Sequence, residues 1–159
     1  MNNTTFFSKI SKTLVLTAAM LMSSLSFANV AIEVDDNGVI LAGHDAVSYF
    51  TEDAAVLGYA GISTVYDGAI YHFSSEENRD TFKANPAKYA PQYGGFCAFG
   101  TSIGKKFDID GKAFEVVDGK LYVQKNLQVL KSWSPEKAER IPAANGHWPK
   151  IKDIEASKL

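Results

Sequence analysis

The stretch of sequence that decides the fold is residues 63–77, which read STVYDGAIYHFSSEE. β-Branched and aromatic residues lie on both sides of Asp67-Gly68, a pair that suits a tight hairpin turn with positive φ. After this hairpin, Ser74 and Glu77 have the spacing of a capping box with Ser74 as the N-cap. The pattern predicts a hairpin followed by a helix that runs to about Ala84, where Asn85-Pro86 stops it.

A second hairpin is predicted further along the chain, with Asp118-Gly119 at its turn. A helix follows it, because Leu127, Leu130 and Trp133 recur at helical spacing. Short helices are also expected at 45–49, 86–89, 96–103 and 134–142, with a terminal loop at 145–149. No internal repeat, low-complexity segment or linker is evident. The sequence therefore predicts a single compact α+β domain with two short β-hairpins and several short helices.

The first 28 residues have the pattern of a bacterial signal peptide. Lys9 and Lys12 precede an apolar run at 14–22, and Ser26-Phe27-Ala28 supplies small residues for cleavage after Ala28. The apolar run is too short for a good membrane span, so no membrane anchor is expected after cleavage. We expect a periplasmic or secreted protein whose single domain occupies residues 29–159.

Removal of the signal changes the composition of the chain. It takes away two of the 16 basic residues and none of the 18 acidic ones, which leaves a net charge of about −4. An acidic domain of this kind gives no support to nucleic acid or an anionic membrane as a partner. All three methionines, Met1, Met20 and Met22, lie in the signal, so a methionine-rich copper(I) site is excluded.

Cys97 is the only cysteine, so an exported form of this chain cannot make an internal disulfide. No acidic residue occurs from Thr81 to Phe107, whereas four lysines do. If Gly94-Gly95 precedes a helix, Cys97 lies in its first turn, where unpaired amide groups favour the thiolate. Burial among aromatic residues would act in the opposite direction and raise the pKa of the thiol. Both interpretations, a reactive thiol and a core cysteine, remain open on the residues alone.

The three histidines, His44, His72 and His147, have no metal-ligand spacing between them. The sequence also lacks the GxSxG, P-loop and dinucleotide-binding glycine motifs, so no catalytic residue is identified. A site that combines Cys97 with His44 or His72 requires the fold to bring these residues together.

Several motifs in combination resemble the YHS-domain family. They are GHDAVSYF at 43–50, YHFS at 71–74, NPAKYA at 85–90, YGGFCA at 93–98, VDGKLYV at 117–123 and Trp148-Pro149. The resemblance covers roughly residues 39–149. Relatives often have additional cysteines that this chain lacks, and Phe73 separates His72 from Ser74 here.

The resemblance favours a small exported binding domain over an enzyme, with a Cys97 that binds a soft metal ion or responds to redox state. YHS domains are often proposed to bind metal, and some relatives have selenocysteine where a cysteine stands here. The expected site uses Cys97 as the anionic ligand and His72 or His44 as a neutral one. The expected metal is copper first, or zinc, and a metal-delivery or redox partner protein would complete the site. The alternatives are a thiol-dependent redox enzyme and a non-catalytic interaction module with a structural cysteine.

Overall fold

Hairpins and short helices alternate along the chain in the computed structural model, which describes residues 30–159. The predicted signal peptide, 1–28, lies outside the described residues. Within them the strands form two separate antiparallel sheets of two strands each, so the α+β class with two hairpins is confirmed. The strands are β1 (Tyr59–Tyr66), β2 (Ala69–Phe73), β3 (Asp110–Val117) and β4 (Lys120–Gln124); the α-helices are α1 (Ser48–Thr51), α2 (Glu76–Ala84), α3 (Pro86–Tyr89), α4 (Ala98–Ser102), α5 (Leu127–Trp133) and α6 (Lys137–Ile151).

The first hairpin turns at Asp67-Gly68, as its sequence predicts. Both residues have positive φ, 49° and 82°, which is the conformation that a two-residue turn of this type requires. Strand β1 begins at Tyr59, earlier than expected, and a bulge interrupts its pairing with β2. Tyr59 pairs with Phe73 and Ser63 with His72, so residues 60–62 protrude from the sheet.

Helix α2 begins one residue later than predicted, because the N-cap is Ser75 and not Ser74. The Ser75 hydroxyl accepts the amide hydrogen of Asn78, at 3.1 Å. Ser74 has a different role, since its backbone amide and its hydroxyl both donate to Oδ2 of Asp45, at 2.8 and 2.7 Å. The capping pattern predicts that Ser74 caps the helix, but in the structure Ser74 binds the buried carboxylate of Asp45, which is distant in sequence.

The structure corrects the expectation that the chain has no internal repeat. An amino-terminal unit (39–84) and a carboxy-terminal unit (91–133) have the same order of elements. Each has a tight turn with positive φ, a short helix, an eight-residue strand, an Asp-Gly turn, a five-residue strand and a capped helix. The bulge also recurs, since Asp110 pairs with Gln124 and Phe114 with Val123.

The backbone contacts of the two units match in detail. A parallel bridge joins Val39 to Ile70 in the first unit and Pro91 to Leu121 in the second. In the second unit, Asn126 caps α5 as Ser75 caps α2. Further equivalent pairs, in the order first unit then second, are Leu41 and Tyr93, His44 and Phe96, Asp45 and Cys97, His72 and Val123, Phe73 and Gln124, and Phe82 and Trp133.

Each unit has its own aromatic core. Tyr71 packs on the fully buried Phe82 with ring centroids 4.5 Å apart, and Tyr122 packs on the fully buried Trp133 at 5.7 Å. Burial of rings of this size is the main stabilising term in a domain of about 130 residues. The two units therefore reach the same packing with different side chains.

Helix α6 is longer than the sequence predicts, and the expected loop at 145–149 is wrong. The helix continues through Pro142 and Pro149, although an internal proline removes a hydrogen bond and costs about 3 kcal/mol. Tertiary packing offsets this cost, because Ala144 is fully buried and Trp148 packs on Tyr93. The short helices expected at 86–89 and within 96–103 are present as α3 and α4.

The two ends of the described chain meet at Lys106. Its side-chain ammonium is almost fully buried and donates to the backbone carbonyls of Val30, Lys152 and Ile154, at 2.7, 2.6 and 2.6 Å. The rings of Phe96 and Trp148 also face this ammonium. Burial lowers the pKa of Lys106, and the carbonyl oxygens supply the acceptors that a buried cation needs.

None of the helices within residues 30–159 combines the length and the apolar character that a membrane span requires.

Removal of the Asp45 carboxylate should destabilise the whole domain. Asp45 is fully buried, and its oxygens accept hydrogen bonds from Val47, Ser74 and Asn78. Since bonds to a charged group contribute about 1.5–3 kcal/mol each and are not additive, Asp45→Ala should lower the free energy of unfolding by about 3–5 kcal/mol. Denaturant unfolding measures this change. Asp80→Ala, which removes an exposed carboxylate paired with Arg79, should cost less than about 1 kcal/mol, and equal losses for the two variants would contradict the assignment.

Candidate functional site

The thiol of Cys97 is sealed in the interior. Only 1% of the residue is exposed, and its sulfur caps α4 by accepting the amide hydrogen of Gly100, at 3.5 Å. The thiol hydrogen points to Oε1 of Gln124, at 3.4 Å. That oxygen also accepts the amide hydrogen of Phe99, at 3.0 Å, which fixes the orientation of the buried amide. Cys97 is therefore held as a hydrogen-bonded thiol between two parts of the carboxy-terminal unit.

Burial raises the pKa of Cys97 above its ordinary value. The amides of Gly100, Lys125 and Phe99 and the charge of Lys125 act in the other direction, but they do not outweigh the loss of solvent. The helix-terminus effect expected from the sequence is thus present, although burial dominates. A thiol that stays protonated and out of reach is a poor nucleophile and a poor metal ligand.

His44 is also buried, at 6% exposure. Its Nδ1 donates to the carbonyl oxygen of Leu41, at 3.0 Å, and its Nε2 has no hydrogen-bond partner among the described residues. The ring lies against Gly111, because a Cβ atom at that position would come within 2.3 Å of Nδ1. The ring of His44 therefore packs between the two units, and it fits there only because residue 111 is a glycine.

His72 has a more open environment than Cys97 and His44. It is half-buried on the outward face of β2, between the buried Tyr71 and Phe73, and no hydrogen bond within residues 30–159 engages its ring. The backbone of Gly58 runs so close to His72 that a Cβ atom there would lie 2.7 Å from the Cβ of His72. The imidazole of His72 consequently lies at the side of a groove and is not covered by a loop.

The groove has a volume of about 510 Å³ and holds a second polar group, the carboxylate of Asp35. Backbone amides, that of Val39 first and also that of Asn37, hold the pKa of Asp35 below its ordinary value, and His72 adds to the effect. Asp35 is thus a carboxylate that shares a groove with the imidazole of His72. The rest of the lining is the polar Asn37 and a set of apolar and small residues, namely Val39, Ala42, Gly43, Leu57, Gly58, Ala60 and Ile70.

The predicted ligands do not converge on one point. No three His, Cys, Asp or Glu side chains within the described part of the chain form a group that could hold a metal ion. Cys97 caps a helix in one unit, His44 fills the junction between units, and His72 faces the groove. The sequence patterns did not identify Asp35 as a site residue.

The fold defines a small α+β domain built from two hairpin units, and the half-buried imidazole of His72 lies in the first unit. Residues 47–93 match the family model of the YHS domain. The match supports a YHS domain within this segment of the chain, and metal binding has been ascribed to that class of domain. The match begins at α1 and ends at Tyr93, so it covers most of the amino-terminal unit and stops where the carboxy-terminal unit begins. Searches of curated proteins and of solved structures gave no match.

The burial of Cys97 predicts a thiol that does not react in the folded protein. A water-soluble aromatic disulfide reagent should label native Cys97 at least about a hundredfold more slowly than it labels the denatured chain, because reaction requires local opening. Absorbance of the released thiolate measures both rates. Equal rates in the native and denatured protein would contradict the sealed position.

A second prediction concerns Glu33, whose pKa is raised to about 7. Burial is the main cause, and the charges of Asp108 and Asp35 add to it. The unfolded carboxyl ionises near 4.5, so between about pH 4.5 and 7 the folded protein binds more protons than the unfolded one. Stability attributable to Glu33 is therefore present at low pH and is lost as the pH rises to about 7.

Glu33→Gln should remove this loss. The free energy of unfolding of the variant minus that of the parent should be larger at pH 8 than at pH 4 by about 1–2 kcal/mol. This figure allows for solvent screening of a partly exposed group. Chemical denaturation at the two pH values tests this, with Glu77→Gln on the exposed start of α2 as the control. A difference that does not depend on pH would refute the assignment.

Proposed function

We propose that this protein is a non-catalytic metal-binding domain whose ligand site is the groove of the amino-terminal unit. His72 supplies an imidazole nitrogen and Asp35 a carboxylate oxygen. Water or a partner protein supplies the remaining ligands. The observation that carries this proposal is the half-buried imidazole of His72, which has no hydrogen-bond partner among residues 30–159 and shares an open groove with a carboxylate.

The repeat provides an internal comparison for His72. Its equivalent in the carboxy-terminal unit is Val123, which is fully buried. The fold therefore needs no imidazole at this position of the strand, since valine serves there. An imidazole that makes no hydrogen bond within residues 30–159 is better explained at this position by a ligand than by packing.

The donor set indicates which metals the groove favours. Imidazole and carboxylate suit divalent ions such as Cu²⁺ and Zn²⁺, whereas Cu⁺ prefers sulfur ligands. Copper remains the first candidate, because Cu²⁺ binds a given nitrogen and oxygen site more tightly than Zn²⁺ does. Two ligands from the chain make an open site, in which exchange with a metal-delivery partner is easier than in a closed four-ligand site.

The sealed thiol gives little support to the redox hypotheses. A thiol enzyme or a redox-responsive cysteine needs an accessible thiolate, and Cys97 is buried with a raised pKa. We propose that Cys97 is structural and that the protein acts in the periplasm or outside the cell, where its amino-terminal signal would direct it.

Metal titration of residues 29–159 tests the proposal. Calorimetry should show one Cu²⁺ site, and His72→Val should raise its dissociation constant by at least about tenfold while leaving the fold intact, since Val123 occupies the equivalent position. Electron paramagnetic resonance of the copper complex should show one coordinated imidazole nitrogen in the parent and none in His72→Val.

Two controls accompany this experiment. Cys97→Ala should bind copper as the parent does, and so should His147→Gln, because His147 lies beside Gly104 and not in the groove. Loss of binding in Cys97→Ala at unchanged stability, or full binding in His72→Val, would overturn the proposal.

A further inference from the structure

The junction between the two units shows what the bulge of a unit can bind. In the carboxy-terminal unit, the bulge at Gly111 is covered by the segment 41–49 of the amino-terminal unit. The ring of His44 lies against Gly111, and the hydroxyl of Tyr49 donates to the Gly111 carbonyl oxygen at 2.8 Å. The Tyr49 ring also meets the edge of Phe114, with centroids 4.6 Å apart. Gly111 is consequently buried.

The equivalent bulge of the amino-terminal unit has no such cover. Ala60 corresponds to Gly111 in the strand register, yet Ala60 and Gly61 are both exposed. A Cβ atom at Gly61 would meet no atom within 4 Å. Beside them, Leu57 and Tyr59 are 63% and 64% exposed, so two large apolar side chains lie at this surface. We call residues 57–62 together with His72 the open face.

The opposite end of the two-unit stack is closed. Tyr93 and Phe96, the equivalents of Leu41 and His44, pack against Trp148 of α6, with ring centroids 6.0 and 6.2 Å away. The Tyr93 hydroxyl also donates to the Asn145 side chain, at 2.9 Å. The units are thus arranged head to tail, and α6 caps the carboxy-terminal end. In stacked-repeat proteins each terminal unit needs such a cap, because each unit otherwise leaves an apolar face uncovered.

We infer that the open face is a protein-docking site, and that its occupant is a partner that presents a segment like 41–49. Such a segment combines an apolar turn with positive φ, a histidine and a tyrosine. A second copy of this chain cannot serve, because its own segment 41–49 is buried in its junction and its residues Tyr93 and Phe96 lie under α6. The partner therefore has a hairpin unit of the same kind whose turn segment is free.

The probe is a synthetic peptide with the sequence of residues 39–58 of this chain. It should be titrated into isotope-labelled protein, residues 29–159, in the presence of a chelator, so that metal binding takes no part. Nuclear magnetic resonance should show saturable shifts confined to the open face, at Tyr59, Gly61 and His72. Because a free peptide loses entropy on ordering, the same segment should also be tethered to the amino terminus through a flexible linker, which raises its effective concentration to about the millimolar range.

Two variants on strand β1 distinguish specific binding at the open face from nonspecific binding of the peptide. Ala60→Arg places a charge where the histidine ring should lie, and it should weaken peptide binding by at least about tenfold. Val65→Arg replaces an exposed residue outside the groove and should leave binding unchanged. A peptide in which the residues equivalent to His44 and Tyr49 are alanine should bind at least about tenfold more weakly.

Absence of shifts at the open face with both the free and the tethered segment would overturn the inference. So would shifts that persist in Ala60→Arg or that cluster elsewhere on the molecule. The peptide titrations are done without metal, so a negative result there does not affect the copper titration of His72→Val. A negative copper titration likewise does not affect the peptide-binding result.

Discussion

The buried carboxylate of Asp45 is the interaction on which the amino-terminal unit depends. A charge in a protein interior is tolerated only when hydrogen bonds replace its lost water. Asp45 receives them from Val47, Ser74 and Asn78, and these three residues lie on the first helix, at the end of the first hairpin and in the second helix. One side chain thereby fixes the relative positions of three elements that share few other polar contacts. Ser74, which Phe73 separates from His72, is needed for this reason, and the position of His72 beside the groove follows from it.

The carboxy-terminal unit meets the same requirement without a charge. Cys97 occupies the place of Asp45, and the amides that surround its sulfur come from the corresponding elements, Gly100 in the helix and Lys125 after the hairpin. A thiol accepts weaker hydrogen bonds than a carboxylate does, but its desolvation costs far less. Each unit thus keeps an acceptor at this position, and the chemistry of the acceptor differs. This equivalence explains why the lone cysteine of the chain lies in the interior.

Local rules were sufficient to predict the hairpins and most helices. Asp67-Gly68 and Asp118-Gly119 each fix a turn, and the apolar spacing of Leu127, Leu130 and Trp133 identifies α5. The extent of α6 could not be predicted in this way, because the packing of Ala144 and Trp148 outweighs two prolines. The repeat was missed for a related reason: its units share backbone geometry, whereas Asp45, His72 and Phe82 are replaced by Cys97, Val123 and Trp133.

The candidate site was less predictable than the fold. Composition suggested a reactive thiol, but the state of Cys97 depends on Gln124, a residue 27 positions away that the sequence does not connect with it. The accessibility of His72 depends on the bulge opposite it and on the close approach of Gly58, and neither feature has a sequence pattern of its own. Tertiary contacts of this kind decide which of several candidate ligands faces solvent.

The hydrogen bonds of Lys106 connect the amino-terminal and carboxy-terminal segments of the described residues. The ammonium joins the carbonyl of Val30 to those of Lys152 and Ile154, so segments near both ends of the described residues are held at one buried cation. Removal of residues 150–159 would leave this buried cation with the carbonyl oxygen of Val30 alone, because the oxygens of Lys152 and Ile154 would be lost.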